Sequence, residues 1–283
     1  MQRTKTQKQL CYIIFFFMLV CLATFLFSTA LKQSPSELNK YRSLNNTLGF
    51  DHIFVINLSY RIDRREMMQE IANFLGLDFD FFPAVSKYDK KLLSKYNLAG
   101  ISIAQKACYL SHYLIYKEII KNGYKNALIM EDDVDIEFEI SRIVSDLRRA
   151  LPDDWDMFYI AHYNYEEGEV LAESGEFKLI KSINPINTHG YAISAHGAQK
   201  LLKDLNVNEA GRQIDVELTS RVHNGFLKSY SIDRTTMIQW KTNDDPSDIP
   251  ESAPPFERQE LLTSTRRLLG YKQMILNLEN FIE

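Results

Sequence analysis

The chain alternates short apolar, β-branched runs with segments of helical periodicity, and this restricts it to folds in which helices cover a central, mainly parallel sheet. His52–Leu58 reads HIFVINL, a continuous apolar run of the kind buried on both faces of a sheet. Asp63–Leu75 follows with helical spacing, with Asp63 near its start and Gly76 just past its end as a stop signal. From Ile103 to Lys121, Cys108, Ser111, His112, Ile115 and Ile119 share one helical face, and Gly123 ends the segment. The strand Asn126–Met130 comes next. Glu139–Leu151 reads as a further helix with Ile143, Val144 and Leu147 inward, stopped by Pro152, and Asp156–Ala161 is again strand-like. His189–Ser194 suits another strand, and His196–Leu205 and Asp215–Val222 suit helices. Glu166–Lys178, polar and holding Gly168 and Gly175, is expected to be a mobile loop.

The strand that ends at Met130 runs straight into three carboxylates, Glu131, Asp132 and Asp133. Adjacent carboxylates at the end of a buried strand repel one another, and they persist when a divalent cation such as Mg²⁺ or Mn²⁺ shares their charge. In open α/β sheets that end of a strand is also where ligands bind. The three residues taken alone are more often a solvated acidic turn after an edge strand, and it is their context that favours a site.

A formal net charge of −4, with acids and bases interspersed, gives no electrostatic footprint for nucleic acid. Leu10 to Leu31 carries no charge over 22 residues, which is long enough to cross a bilayer of about 30 Å as a helix. Arg3, Lys5 and Lys8 precede it and Lys32 is the only charge just after it, so residues 1–9 are expected to be cytoplasmic. Ser28-Thr29-Ala30 offers a rival reading as a cleaved signal peptide, but the apolar run exceeds the usual h-region of about 7–15 residues. The expectation is a single-pass type II anchor at 10–31 and a stem over 32–49, with a lumenal globular domain at 50–242. Residues 243–283 would add a turn-rich linker, Asn243–Pro255, and an amphipathic helix, Glu257–Phe281. Cys11 and Cys21 fall inside the apolar span, leaving Cys108 no partner for an internal disulfide.

Several motifs then fall in a telling order: IFVINL followed by Arg61, Arg64 and Arg65, ACYLSHYLIYKEII, ALIMEDDV, WDMFYI, NTHGYAIS, IDVEL and finally Gln239. In that order and spacing, from about Phe50 to Gln239, the chain resembles glycosyltransferase family 25. The resemblance implies a GT-A type α/β sandwich that binds a UDP-sugar together with Mn²⁺ or Mg²⁺. It further implies an inverting transfer of a hexose, galactose first and glucose next, onto a hydroxyl of a glycan or glycoprotein acceptor in the Golgi or endoplasmic reticulum. A different class of protein, a silent family member that binds glycans or partners, is the alternative.

Carried onto these positions, the resemblance makes Asp133 and Glu131 metal ligands with Asp135 as a further one, and places Asp132 at the nucleotide sugar. Asn57, Ser59, Arg61, Arg64, Ser111, His112 and His189 would line the donor site, where an arginine holds a diphosphate by forked hydrogen bonds. A single displacement needs a base for the acceptor hydroxyl, and Asp215 is the first choice, with Glu217 and Asp156 behind it. Two positions depart from the family pattern: Ala107-Cys108 replaces a Gly-Cys step, and Gln105 stands where an acid is usual.

Overall fold

A computed structural model describes residues 46–163, 168–208, 211–240, 247–249 and 260–271. The tail, the apolar span and all but the end of the stem lie outside the described residues, among which no helix is long and apolar enough to cross a membrane.

The order is β1 (His52–Asn57), α1 (Ile62–Leu75), β2 (Asp80–Pro83), α2 (Lys90–Leu93), α3 (Ile103–Asn122), β3 (Asn126–Glu131), β4 (Val134–Ile136), α4 (Ile140–Arg148) and β5 (Met157–Tyr163). Then come β6 (Val170–Ser174), β7 (Phe177–Lys181), β8 (Ile186–Ser194), α5 (Ala195–Asp204), α6 (Ile214–His223), β9 (Ser229–Asp233), β10 (Met237–Gln239) and α7 (Thr265–Leu268). Eight of these strands form one sheet in the order β2-β1-β3-β8-β5-β9-β7-β6, while β4 pairs with β10. β8 and β7 run against the other six strands. The sheet is therefore mixed. Most strands share one direction, but the two opposed strands are interleaved, so β1–β2, β1–β3 and β5–β9 are its parallel pairings.

Alternation of side chains along each strand feeds two apolar layers. Ile53 and Val55 of β1 join Met68 and Ile71 of α1 and Ile143, Val144 and Leu147 of α4. Phe54 and Ile56 join Tyr109, Ile115 and Ile119 of α3, with Leu201 of α5 and Leu218 of α6. Both faces of the sheet are thus covered, which is why the central strands read as unbroken apolar runs. Each such side chain, fully buried, contributes roughly 1.5–3 kcal/mol of transfer free energy.

Two expectations fail. The polar stretch taken as a mobile loop forms the hairpin of β6 and β7 in its described part, turning at Gly175 with φ 63°, and Leu179 and Ile180 carry it onto the sheet edge against β9. The glycine signalled a turn and was misread as a loop. Nor is the helix expected over Glu257–Phe281 continuous across its described residues, 260–271; the rest of that segment lies outside them. Within 260–271 only Thr265–Leu268 is helical, and that turn docks on the domain through Asp135 and a fully buried Arg266.

One close approach fixes the start of α5. Gly197 donates its N–H to the capping Ser194 hydroxyl at 3.0 Å, and a Cβ there would lie 2.5 Å from the carbonyl oxygen of Asp156. Gly197→Ala is expected to cost about 1–3 kcal/mol, as overpacking does, read as a lower urea midpoint at unchanged slope. An unchanged midpoint would mean that α5 moves freely away from Asp156.

Candidate functional site

A cavity of about 440 Å³ opens beside the C-terminal ends of β1 and β3 and the start of β8, with α3 and the first turn of α6 completing its wall. That is the size range of a small-ligand site. Ile56, Glu131, Asp132, Asp133, Thr188 and His189 come from the strand side, and Cys108, Ser111, His112 and Asp215 from the helices.

The three consecutive acids are held differently. Asp132 is buried; its Oδ2 accepts from Asn57 Nδ2 at 2.7 Å and its Oδ1 from Arg64 Nη1 at 3.0 Å. Burial raises its pKa, the neighbouring Asp133 adds to the rise, and Arg64 and Asn57 oppose it. Asp133, equally buried, has Arg64 Nη1 3.6 Å from Oδ2, while its Oδ1 has no hydrogen-bond partner. Glu131 is partly open, accepting from Thr188 Oγ1 at 3.1 Å and Gln239 Nε2 at 3.2 Å. A buried carboxylate oxygen without a donor is costly unless something positive reaches it. Oxygen donors from Asp133 and Glu131 suit a hard divalent cation.

Asn57 organises the loop after β1. It donates to Asp132 and to the Arg61 carbonyl, and its Oδ1 accepts from Arg65 Nε and Nη2 at 3.1 and 2.9 Å. Arg61 pairs with Asp63 and, at 2.7 Å, with Asp248; Arg64 lies 3.7 Å from the same Asp248 oxygen. Ser59 is exposed and outside the cavity wall. Ser111 ties two segments together, donating to the Ala107 carbonyl and accepting from the Val85 N–H. His112 is buried, its Nδ1 2.9 Å from the Tyr191 hydroxyl, which lies 2.7 Å from that of Tyr116. Burial pushes its pKa down to about 3, so the ring is neutral at pH 7. His189 Nε2 lies 3.2 Å from the Met237 carbonyl oxygen, and its ring lines the cavity.

The acids proposed as bases separate. Asp215 lines the cavity in the first turn of α6, and burial raises its pKa despite backbone N–H donors at Val216 and at its own amide. Glu217 points elsewhere, paired with Arg221 and Arg212. Asp156 sits at the other end of β5, fully buried and accepting from His196, Lys200 and the Lys228 N–H. Asp135 is also outside the cavity: it accepts from the Ser264 hydroxyl at 2.5 Å and the Arg266 N–H at 2.9 Å, anchoring α7. The carboxylates of all three already accept from donors within the fold.

Some lining residues escaped the sequence reading. Ser247, Asp248 and Ile249 come from the stretch read as linker, and only tertiary pairing reveals them. Asn187, at φ 78°, and Thr188 precede the recognised His189. Gln105 completes a capping box with Ser102: Ser102 N–H donates to its Oε1 at 2.9 Å, and the Ser102 hydroxyl accepts from its N–H. Glutamine and glutamate serve that role alike, which gives the departure at this position a local reason.

The family described as "Glycosyltransferase family 25 (LPS biosynthesis protein)" matches residues 50–216. Procollagen galactosyltransferase 1 of Danio rerio is 32% identical over 194 residues, 61% of this chain and 32% of that protein. Procollagen galactosyltransferase 2 of Homo sapiens is 28% identical over 210 residues, 65% of this chain and 33% of that protein. A glycosyltransferase 25 family member of Aedes aegypti is 29% identical over 175 residues, 56% of this chain and 28% of that protein. The chain spans about a third of the length of the curated relatives it matches. The family match covers more than half of the chain, and the chain belongs to glycosyltransferase family 25.

The placement of Asp135 separates stability from ligand binding. Asp135→Ala is expected to destabilise the fold by about 1–3 kcal/mol, because it leaves the Ser264 hydroxyl and the Arg266 N–H buried without this acceptor. If the cavity takes up Mn²⁺, its affinity by calorimetry below the melting range should stay within about twofold in Asp135→Ala, and loss of that binding in the still-folded variant would make Asp135 a ligand.

Proposed function

We propose that this member of glycosyltransferase family 25 is a metal-dependent, inverting hexosyltransferase of GT-A type that moves galactose from UDP-galactose onto a hydroxyl of a glycan or glycoprotein. UDP-glucose is the next donor in line. The observation that carries the reading is Asp133, a buried carboxylate in the cavity wall whose Oδ1 has no donor, beside the more open Glu131. The relatives named procollagen galactosyltransferases supply the choice of galactose.

Asp133 and Glu131 would hold Mn²⁺ or Mg²⁺, which when bound offsets the charge that develops on the departing diphosphate. Both Asp132 oxygens are taken by Asn57 and Arg64, so its role is to position Arg64 and the turn that presents Asp133. Arg64 is already ion-paired to the cluster, while Arg61 meets Asp248 and would exchange that carboxylate for a phosphate oxygen. Asp215 takes the proton of the acceptor hydroxyl as its oxygen attacks. Its position on the helix wall, apart from the strand-end acids, suits a base that is not itself a metal ligand. We assign the apolar Leu10–Leu31 run to a type II anchor that holds the domain in the lumen of the Golgi or endoplasmic reticulum.

The test uses the full-length chain in detergent with a panel of UDP-sugars, with and without Mn²⁺. Slow UDP release from UDP-galactose is expected, abolished by chelator and in Asp133→Ala. Neither nucleotide binding by calorimetry nor release from any donor would make the glycan-binding alternative the better account.

A second measurement addresses Asp215. The base must be deprotonated to act, so the rate should rise with pH through an acid limb lying above the ordinary aspartate value of about 3.9. Asp215→Asn should lower kcat by about 10²–10⁴-fold and remove the limb. A limb unchanged in the variant would move the role to another group.

A further inference from the structure

Cys108 and His112 are four residues apart on α3, so one helical face presents both to the cavity, where Glu131 meets them from the end of β3. One ligand atom from each, sulfur, imidazole nitrogen and carboxylate oxygen, lies within 4.8 Å of the others. His112 Nε2 is 3.9 Å from Glu131 Oε1, too far for a hydrogen bond, and this buried nitrogen has no hydrogen-bond partner. Protonation at Nε2 would bury a donor with no acceptor. Protonation at Nδ1 instead lets the ring donate to the Tyr191 oxygen while Tyr191 donates to Tyr116. The second arrangement leaves a bare Nε2 lone pair toward the thiol and the carboxylate. A histidine whose far nitrogen is fixed by a hydrogen bond is the usual form of a metal-ligating imidazole.

We propose that Cys108, His112 and Glu131 form a site for a soft divalent cation of the zinc class, which shares only Glu131 with the oxygen site at Asp133. Three ligands bonded at about 2.0–2.3 Å to one tetrahedral ion lie about 3.3–3.8 Å apart, so the ligand atoms close by up to about 1.5 Å to meet it. Thiolate and imidazole select zinc over manganese or magnesium. Glu131 supplies the carboxylate oxygen, and Thr188 Oγ1 orients it by donating to Oε1 at 3.1 Å. All three residues line the cavity, so the fourth coordination position faces its interior. Binding exchanges the Cys108 S–H bond for an S–metal bond and releases one proton to solvent.

The test titrates the metal-free full-length chain with Co²⁺ and Zn²⁺ alone, with no sugar nucleotide present, so it is independent of the transferase reading. One equivalent of Co²⁺ should give tetrahedral visible bands and a thiolate-to-cobalt charge-transfer band in the near ultraviolet, and Zn²⁺ should displace it. Cys108→Ser, a near-isosteric change in a side chain that opens onto the cavity, should lose the charge-transfer band. Tyr191→Phe, which removes the partner of Nδ1, should weaken binding about tenfold. Absence of the band in the unsubstituted chain, or its persistence in Cys108→Ser through Cys11 or Cys21, would overturn the proposal.

Discussion

Everything at this site depends on one buried guanidinium. Arg64 lies 3.0 Å from Asp132, 3.6 Å from Asp133 and 3.7 Å from Asp248, and it is almost wholly out of water. Without it the chain would bury two adjacent carboxylates at the end of β3 with nothing to balance them, a cost of several kcal/mol per charge. With it, one acid is fully paired and the next keeps an oxygen in reserve. The helix that carries Arg64 begins five residues after β1 ends, so the register of β1 against β3 sets where this charge arrives.

The same rule separates site acids from structural acids elsewhere. Asp135 and Asp156 are the more deeply buried, yet each accepts from several donors and closes a joint, the first for α7 and the second between α5 and the start of β9. Asp215 accepts only backbone N–H groups at the head of its own helix, and burial raises its pKa. Depth of burial alone would rank these residues in the wrong order; what distinguishes them is how many of their oxygens already have donors.

Layering was legible in the sequence because strands covered on both faces must be apolar throughout, as His52–Leu58 and Asn126–Met130 are. Direction was less so: β8 reads like its neighbours but runs against them, and apolar content carries no sign. In the site, the strand-end acids and Asp215 were visible as motifs. Asp248 was not, because its partners Arg61 and Arg64 lie nearly two hundred positions away and a proline-rich stretch reads as linker whatever it touches. The surroundings of Asp135 were hidden for the same reason: its spacing from Asp133 is visible in the sequence, while its donors Ser264 and Arg266 lie 129 and 131 positions away.

Glu131 lies where these constraints meet. Asp132 is fixed by Arg64 and Asn57, and Asp133 is drawn toward the same guanidinium, while Glu131 accepts from Thr188 and Gln239. It is also the most open of the three, Asp132 and Asp133 being buried, so it is the member of the trio best placed to meet what enters the cavity. Toward Asp133 it completes an oxygen set; toward Cys108 and His112 it completes a sulfur and nitrogen set. One side chain cannot fully serve both. A cation entering the cavity would therefore be chosen by ligand softness on one side and by carboxylate charge on the other, and neither depends on the size of the cavity.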